Sequence, residues 1–195
     1  MILPIIAYGD PVLRKVGIAI DKDYPNLEEL LSNMRETMDN AHGVGLAAPQ
    51  VGKAIRLFLV DTSPFADDDE IDEEEQKFLE GFNRIFINPK ILDETGDEWA
   101  FNEGCLSIPE VREDVFRNDT VTIEYFDSNF EKQTETLTGI AARVVQHEYD
   151  HIEGVLFTDK LSSLKKRLIK KKLENISKGK ISPDYRMKFF KPKKK

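Results

Sequence analysis

The clearest chemistry lies in one stretch, His147-Glu148-Tyr149-Asp150-His151. On a helix, positions i and i+4 lie on one side, a turn apart. Both imidazoles can then reach one metal ion, and the glutamate after the first can reach a water on that ion. The chain has three histidines and one cysteine, so two of the three at this spacing point to a metal site. His42 comes just after a helix end and is explained by the helix dipole rather than as a ligand. Two histidines do not complete a site, because catalytic zinc-type sites take three protein ligands and keep one position open. Glu174, downstream in a basic helix, is one candidate. Cys105, in Glu103-Gly104-Cys105-Leu106-Ser107, is the better one. A thiolate is a good ligand for such an ion, and Gly104 lets the backbone approach closely.

A third segment runs Gly43-Val44-Gly45-Leu46-Ala47-Ala48-Pro49-Gln50-Val51-Gly52. Its glycine spacing formally matches a dinucleotide fingerprint, but that motif needs a strand before it and a helix after it. Here a helix precedes the glycines and Pro49 interrupts the stretch beyond them, so no nucleotide cofactor is expected. The segment reads instead as an extended loop of small residues whose backbone meets an extended peptide. Gln50 would offer an amide donor.

The elements that must position these residues emerge from periodicity. Asn26-Leu27-Glu28-Glu29 has the capping-box pattern. Leu27, Leu30, Leu31, Met34, Met38 and Ala41 then share one helical face, and Gly43 can end the helix in the left-handed conformation. Ile55–Val60, Arg84–Asn88, Val121–Phe126 and Gln133–Leu137 read as strands, with Pro89 stopping the second. Ile140–Ile152 is a largely buried helix closed by Gly154. A last helix opens near Ser162, with Leu164, Leu168, Leu173 and Ile176 as a thin apolar stripe. The order lacks regular strand–helix alternation. The expected fold is α+β, with mixed or antiparallel sheets packed around a buried metal-binding helix and a C-terminal helix.

At 195 residues, one domain with its own core is expected. No apolar run is long enough to span a membrane. The formal charge of −8 joins two unlike parts. Residues 160–195 carry 15 Lys/Arg against two acids, or +13, and residues 1–159 carry 13 against 34, or −21. From Asp61 to Glu75 there are nine acids and no base. This stretch is expected to form a solvated surface insertion, about 61–83, within a catalytic domain spanning 1–179. Residues 180–195 are expected to form a basic, mobile tail. The positive end suggests contact with an anionic partner such as RNA. The single cysteine excludes an internal disulfide framework, and the N-terminus does not read as a signal peptide, so a cytoplasmic setting is expected.

Taken together, the three motifs resemble those of peptide deformylases, whose pattern is G-x-G-L-A-A-x-Q, then E-G-C-L-S, then Q-H-E-x-D-H. Gly43–Gln50, Glu103–Ser107 and Gln146–His151 match in that order, and Gly9–Arg14 resembles the family's N-terminal start. The likeness covers about residues 4–165. The acidic insertion and the lysine-rich end fall outside it. The resemblance implies removal of the N-formyl group from nascent polypeptides that begin with formyl-methionine; contact with the ribosome or its RNA through the basic end is expected from the +13 charge of residues 160–195 alone. The resemblance implies ferrous iron, with zinc, nickel or cobalt able to occupy the site. It also implies that Cys105, His147 and His151 hold the ion and that Glu148 moves the proton. Gln50 and the Leu106 N–H would stabilise the oxyanion. Val44, Gly45, Glu103 and Gly104 would pair with the peptide backbone. Gly43, Ile140 and Val144 would line the methionine pocket, and Arg112 would meet the peptide. Asp150 lies off the ligand face and is expected to be structural. A metalloendopeptidase, or a binding module without catalysis, are the competing readings.

Overall fold

The computed structural model describes residues 1–69 and 71–191. A five-stranded antiparallel sheet runs in the order β2-β3-β4-β5-β6, formed by Gly45–Ala47, Leu57–Asp61, Asn83–Cys105, Ile108–Phe126 and Lys132–Thr138. The short strands β1 (Ile5–Ile6) and β7 (Met187–Lys188) pair in parallel beside it. Four α-helices pack around these strands: α1 (Leu27–Asn40), α2 (Glu73–Gly81), α3 (Gly139–Ile152) and α4 (Ser163–Ser177). This is the α+β architecture that the sequence implies.

The β3 strand explains the layering. Its apolar run is nearly continuous because both of its faces are buried. Phe58 and Val60 join the cluster around α3, with Val145, Ile152 and Phe86. Leu57 and Leu59 join the opposite cluster, with Met34 and Met38 of α1. The α3 helix is therefore a core element, buried along almost its whole first three turns. A third cluster gathers Ile169 and Ile176 of α4 against Ile108, Val111 and Val115 of β5.

Several local expectations are corrected. Asn26 adopts a left-handed conformation and makes no side-chain cap. At the other end of α1, His42 rather than Gly43 takes the left-handed position, while the Gly43 N–H returns to Met38 O at 2.9 Å. Pro89 does not stop its strand, and β4 runs to Cys105. The missing N–H falls in a bulge between Ile87 and Lys90, as proline in a sheet requires. Asn88 is left-handed there, and its side chain bonds the Ile20 backbone on both sides, at 2.9 and 2.7 Å. In α4, Leu173 and Ile176 of the expected stripe pack inward, but Leu164 and Leu168 are exposed and Ile169 is buried instead.

The acidic stretch is more than a solvated loop. It holds α2, whose first turn is capped by Asp72. Leu79 and the adjoining Phe82 are fully buried in the α3 cluster. Its Glu75 carboxylate accepts from the Ile140 N–H at 3.4 Å, at the N-terminal end of α3, where the helix dipole favours a negative charge. The segment after α4 is also tied in, through the β1–β7 pairing. The final lysines, from 193, lie outside the described residues.

If α2 is docked in this way, Leu79→Ala should cost about 2–5 kcal/mol in urea unfolding, the usual penalty of a buried cavity. Glu80→Ala, an exposed change on the same helix, should stay within about 0.5 kcal/mol. Equal small effects would mean that the insertion does not contribute to the core.

Candidate active site

Glu103 lies at the centre of the site. It sits on β4, where the strand enters the core, and is 4% exposed. Its two oxygens serve three cations. Arg117 of β5 donates Nε to Oε1 at 2.7 Å and Nη2 to Oε2 at 2.9 Å. Arg143 of α3, 1% exposed, donates Nη1 to Oε1 at 3.1 Å. The third partner is His147, whose Nδ1 lies 2.9 Å from Oε2. Burial alone would raise the Glu103 carboxyl, but the hydrogen bonds from Arg117 and His147 outweigh it and hold the group well below the usual carboxylate range. Arg117 reaches on to Asp150 at 2.7 Å, which gives that off-face carboxylate its structural place.

With Nδ1 engaged, His147 keeps Nε2 for a ligand. His151 lies one turn on, its ring centroid 5.1 Å away. Cys105 ends β4, and its Sγ is 3.3 Å from His151 Nε2. Ligand atoms of Cys105, His147 and His151 all lie within 4.8 Å of one another. The His151 Nδ1 atom is buried without a hydrogen-bond partner among the described residues, as is Glu148 Oε2. One sulfur and two imidazole nitrogens converging in a buried setting fit a divalent ion such as zinc or ferrous iron. Burial opposes charge on His147, but hydrogen bonds to Cys105 and Glu103 lift its pKa to about 10, while burial and the neighbouring cations push His151 well below its ordinary value. Glu148 is raised to about 7, chiefly by burial. A β-carbon on Gly45 would collide with the Glu148 carboxylate, so glycine is required there.

Gln50 sits in the 3-10 turn just past β2. Its Oε1 accepts from the Ala47 N–H at 2.8 Å, which fixes the amide so that Nε2 points to Cys105 Sγ at 3.5 Å and Ser107 Oγ at 3.3 Å. A cleft of about 720 Å³ opens over this group, between Val44-Gly45 on one side and Glu103-Gly104 on the other. Strand β2 is the outer strand of its sheet, so its far edge can accept an extended peptide.

Most of the residues named from sequence meet here. Gly43, Val144, Leu106 and Arg112 line the cleft. A side chain on Gly43 would come within 2.7 Å of Leu106 Cδ1. The Arg112 side chain lies over Gly104 and donates to the Asn102 carbonyl at 2.6 Å. Ile140 is not among the lining residues and packs in the α3 cluster. Glu174, the alternative third ligand, pairs with Lys178 on α4 and takes no part. His42 lines the cleft without joining the ligand cluster.

Sequence reasoning misses the Glu103 network. It gives Glu103 a backbone role only and does not single out Arg117 or Arg143. The available signal is Arg143 itself, a charge inside the apolar run Ile140–Val145. Also missed are Phe65, Phe101 and Ser182–Tyr185, which wall the cleft.

The sequence model described as "Polypeptide deformylase" matches residues 2–167. The chain belongs to that family. It is 70% identical over 194 residues to the peptide deformylase of Christiangramia forsetii, covering 100% of this chain and 99% of the relative. It is 67% identical over 194 residues to that of Flavobacterium johnsoniae, with the same coverage. Among solved structures, Thermotoga maritima peptide deformylase superposes with a TM-score of 0.72 at 37% identity, covering 83% of this chain and 99% of that one. Arabidopsis thaliana peptide deformylase 1B, in complex with an inhibitor, gives a TM-score of 0.78 at 33% identity, covering 91% and 92%. Deformylases are metal-dependent hydrolases that remove the N-formyl group from nascent peptides, and this chain is such an enzyme. No helix among the described residues is long and apolar enough to cross a membrane.

Removing Glu103 should damage both fold and metal site. Glu103→Ala takes the carboxylate from buried Arg143 and leaves Arg117 with Asp150 alone, and should cost about 3–5 kcal/mol in denaturant unfolding. Glu103→Gln keeps the shape but loses the charge. Chelator competition should show metal retention weakened by roughly 10- to 100-fold, the usual effect of losing a ligand's hydrogen-bond partner.

Proposed function

We propose that Cys105, His147 and His151 hold one ferrous ion, and that Glu148 carries the proton in hydrolysis of the formyl amide. The observation behind this reading is the convergence of one sulfur and two imidazoles within 4.8 Å, beside a buried carboxylate with one free oxygen. When bound, such an ion supplies Lewis-acid activation of water near neutral pH. Iron is preferred over zinc, nickel or cobalt on the family likeness, since the donor set suits each of them.

The remaining steps belong to the chain's own residues. Glu148 takes the proton of the attacking water on Oε2 and delivers it to the leaving amine nitrogen. Its pKa near 7 suits both directions of transfer. Gln50 Nε2 and the Leu106 backbone N–H donate to the formyl oxygen as that atom gains negative charge. Gln50 is already held in the donating orientation by Ala47. The substrate backbone pairs with the open edge at Val44-Gly45 and with Glu103-Gly104. The methionine side chain lies against Gly43 and Val144, with Arg112 near the later residues of the peptide.

We further read residues 1–179 as the body of the catalytic domain, with Ser182–Tyr185 adding a wall to its cleft, working in the cytoplasm at the ribosome. Helix α4 supports the last point. Lys166, Arg167, Lys170 and Lys171 are all exposed on it, a cationic surface suited to RNA phosphates. Changing Lys170 and Lys171 together to Glu should weaken ribosome co-sedimentation several-fold at low salt, with formate release from a short peptide unchanged. Binding that ignores both the substitution and the salt concentration would refute this.

The chemistry is tested with Glu148→Ala, purified without air. Metal analysis should find iron at the wild-type level. Formate release from formyl-Met-Ala-Ser should fall by at least about 100-fold, and neither form should cleave unformylated Met-Ala-Ser. Retained turnover would remove Glu148 from its role, and loss of the metal would make it a structural residue.

A further inference from the structure

After α4 the chain turns back toward the cleft. Gly179 makes the turn with a φ of 68°. Ile181, Met187 and Phe189 then pack on the cluster that also receives Cys105 and contains Ile108. Met187–Lys188 pairs with β1, which anchors the far end. Between these anchors, Ser182–Tyr185 form one wall of the cleft. This stretch lies beyond residue 167, where the family match ends.

The contact that matters is Tyr185 Oη, which donates to the Leu106 carbonyl at 2.8 Å. Leu106 lies in the turn between β4 and β5, where the pairing shifts register between Gly104 and Cys105. It is held at two further points. Its side chain packs against Gly43, and the next residue, Ser107, is bonded by Gln50 Nε2 and by the Tyr8 N–H, the latter at 2.8 Å. Together with those contacts, the hydrogen bond on its carbonyl restricts how the Leu106 peptide units can rotate.

We propose that Tyr185 is a positioning residue for deformylation: its hydroxyl clamps the Leu106 carbonyl and so aims the Leu106 N–H at the formyl oxygen. This rests on the donor role proposed for Leu106 in the reaction. Burial, with the nearby Cys105, Asp184 and Glu110, pushes the Tyr185 phenol well above its ordinary pKa, so it stays protonated and able to donate. Donors aimed in advance at developing charge are worth most where water is excluded, and a donor free to rotate loses that advantage. The C-terminal segment is then a working part of the active site.

Tyr185→Phe keeps the ring and removes only the hydroxyl. With formyl-Met-Ala-Ser, kcat should fall roughly 5- to 30-fold, less than the loss of a whole oxyanion donor. KM should stay within about twofold, because ground-state binding is untouched. Amide exchange in the segment spanning residues 103–108 should quicken several-fold, while exchange in α3 is unchanged. An unchanged kcat overturns the proposal. So does a raised KM at constant kcat, which would make Tyr185 only a wall. Faster exchange spread over α3 would show a general structural role and also overturns it. If the variant loses stability overall, the ratio of exchange in 103–108 to that in α3 still decides. Gln50→Ala is the control for the underlying reading. If it also leaves kcat intact, the oxyanion assignment itself fails. If it lowers kcat and Tyr185→Phe does not, only the Tyr185 proposal fails.

Discussion

The structure depends on one buried carboxylate. Glu103 carries its charge inside the protein at 4% exposure, which is tolerable only because two arginines and a histidine spend their hydrogen bonds on it. Those partners come from three elements: Arg117 from β5, Arg143 and His147 from α3, and Glu103 itself from β4. The ion network therefore fixes the angle at which α3 crosses the sheet. It also fixes the rotation of His147, since an imidazole bonded at Nδ1 presents Nε2 in one direction. Apolar packing of Val145 and Ile152 against Phe58 and Phe86 would bring helix and sheet together without choosing that rotation. The polar contact supplies specificity where the core supplies adhesion.

The long β4–β5 pair brings the rest of the site to the same place. It runs from Ile87–Phe126 at one end to Cys105–Ile108 at the other, and its register shifts let two long strands bend around α3. The cysteine is thus delivered from the sheet and the histidines from the helix. Gln50 comes from a third direction, at the end of the edge strand β2. His147 is held by Glu103 and Gln50 by Ala47, each a partner outside its own element, which is how a site keeps its geometry when single contacts are weak.

How much of this is legible in the sequence depends on whether the signal is local. The His147–His151 spacing, the apolar character of α3 and the face of α1 are local, and the structure has them where the periodicity places them. At Pro89 the missing N–H argues against continuation of β4, yet the strand goes on. The bulge that absorbs the proline is held by Asn88 bonding to Ile20, 68 residues away, which no local pattern reports. The same limit hides the docking of α2. Acid density reads as solvation, yet Leu79 and Phe82 are core residues whose partners lie on α3 and distant strands. In α4 the expected stripe of Leu164, Leu168, Leu173 and Ile176 holds only in its second half; Leu164 and Leu168 are exposed, and tertiary contact buries Ile169 instead. The Glu103 network joins residues 14, 40 and 44 positions apart, and a run such as Ile140–Val145 shows only that Arg143 is out of place.

The same network sets the electrical surroundings of Glu148. His147 and Arg117 both act to hold the pKa of this carboxyl down. Glu103, which both of them bind, acts in the opposite direction and raises it. Burial is left as the dominant influence and lifts Glu148 to about 7. A proton carrier works best when its pKa lies near the working pH. Gly45 completes this arrangement by letting the backbone of β2 close over the carboxylate without a side chain between them. The orientation of one metal ligand thus arises from the buried ion cluster, while the basicity of the proton carrier beside it arises chiefly from burial, which the opposed charges of that cluster leave dominant.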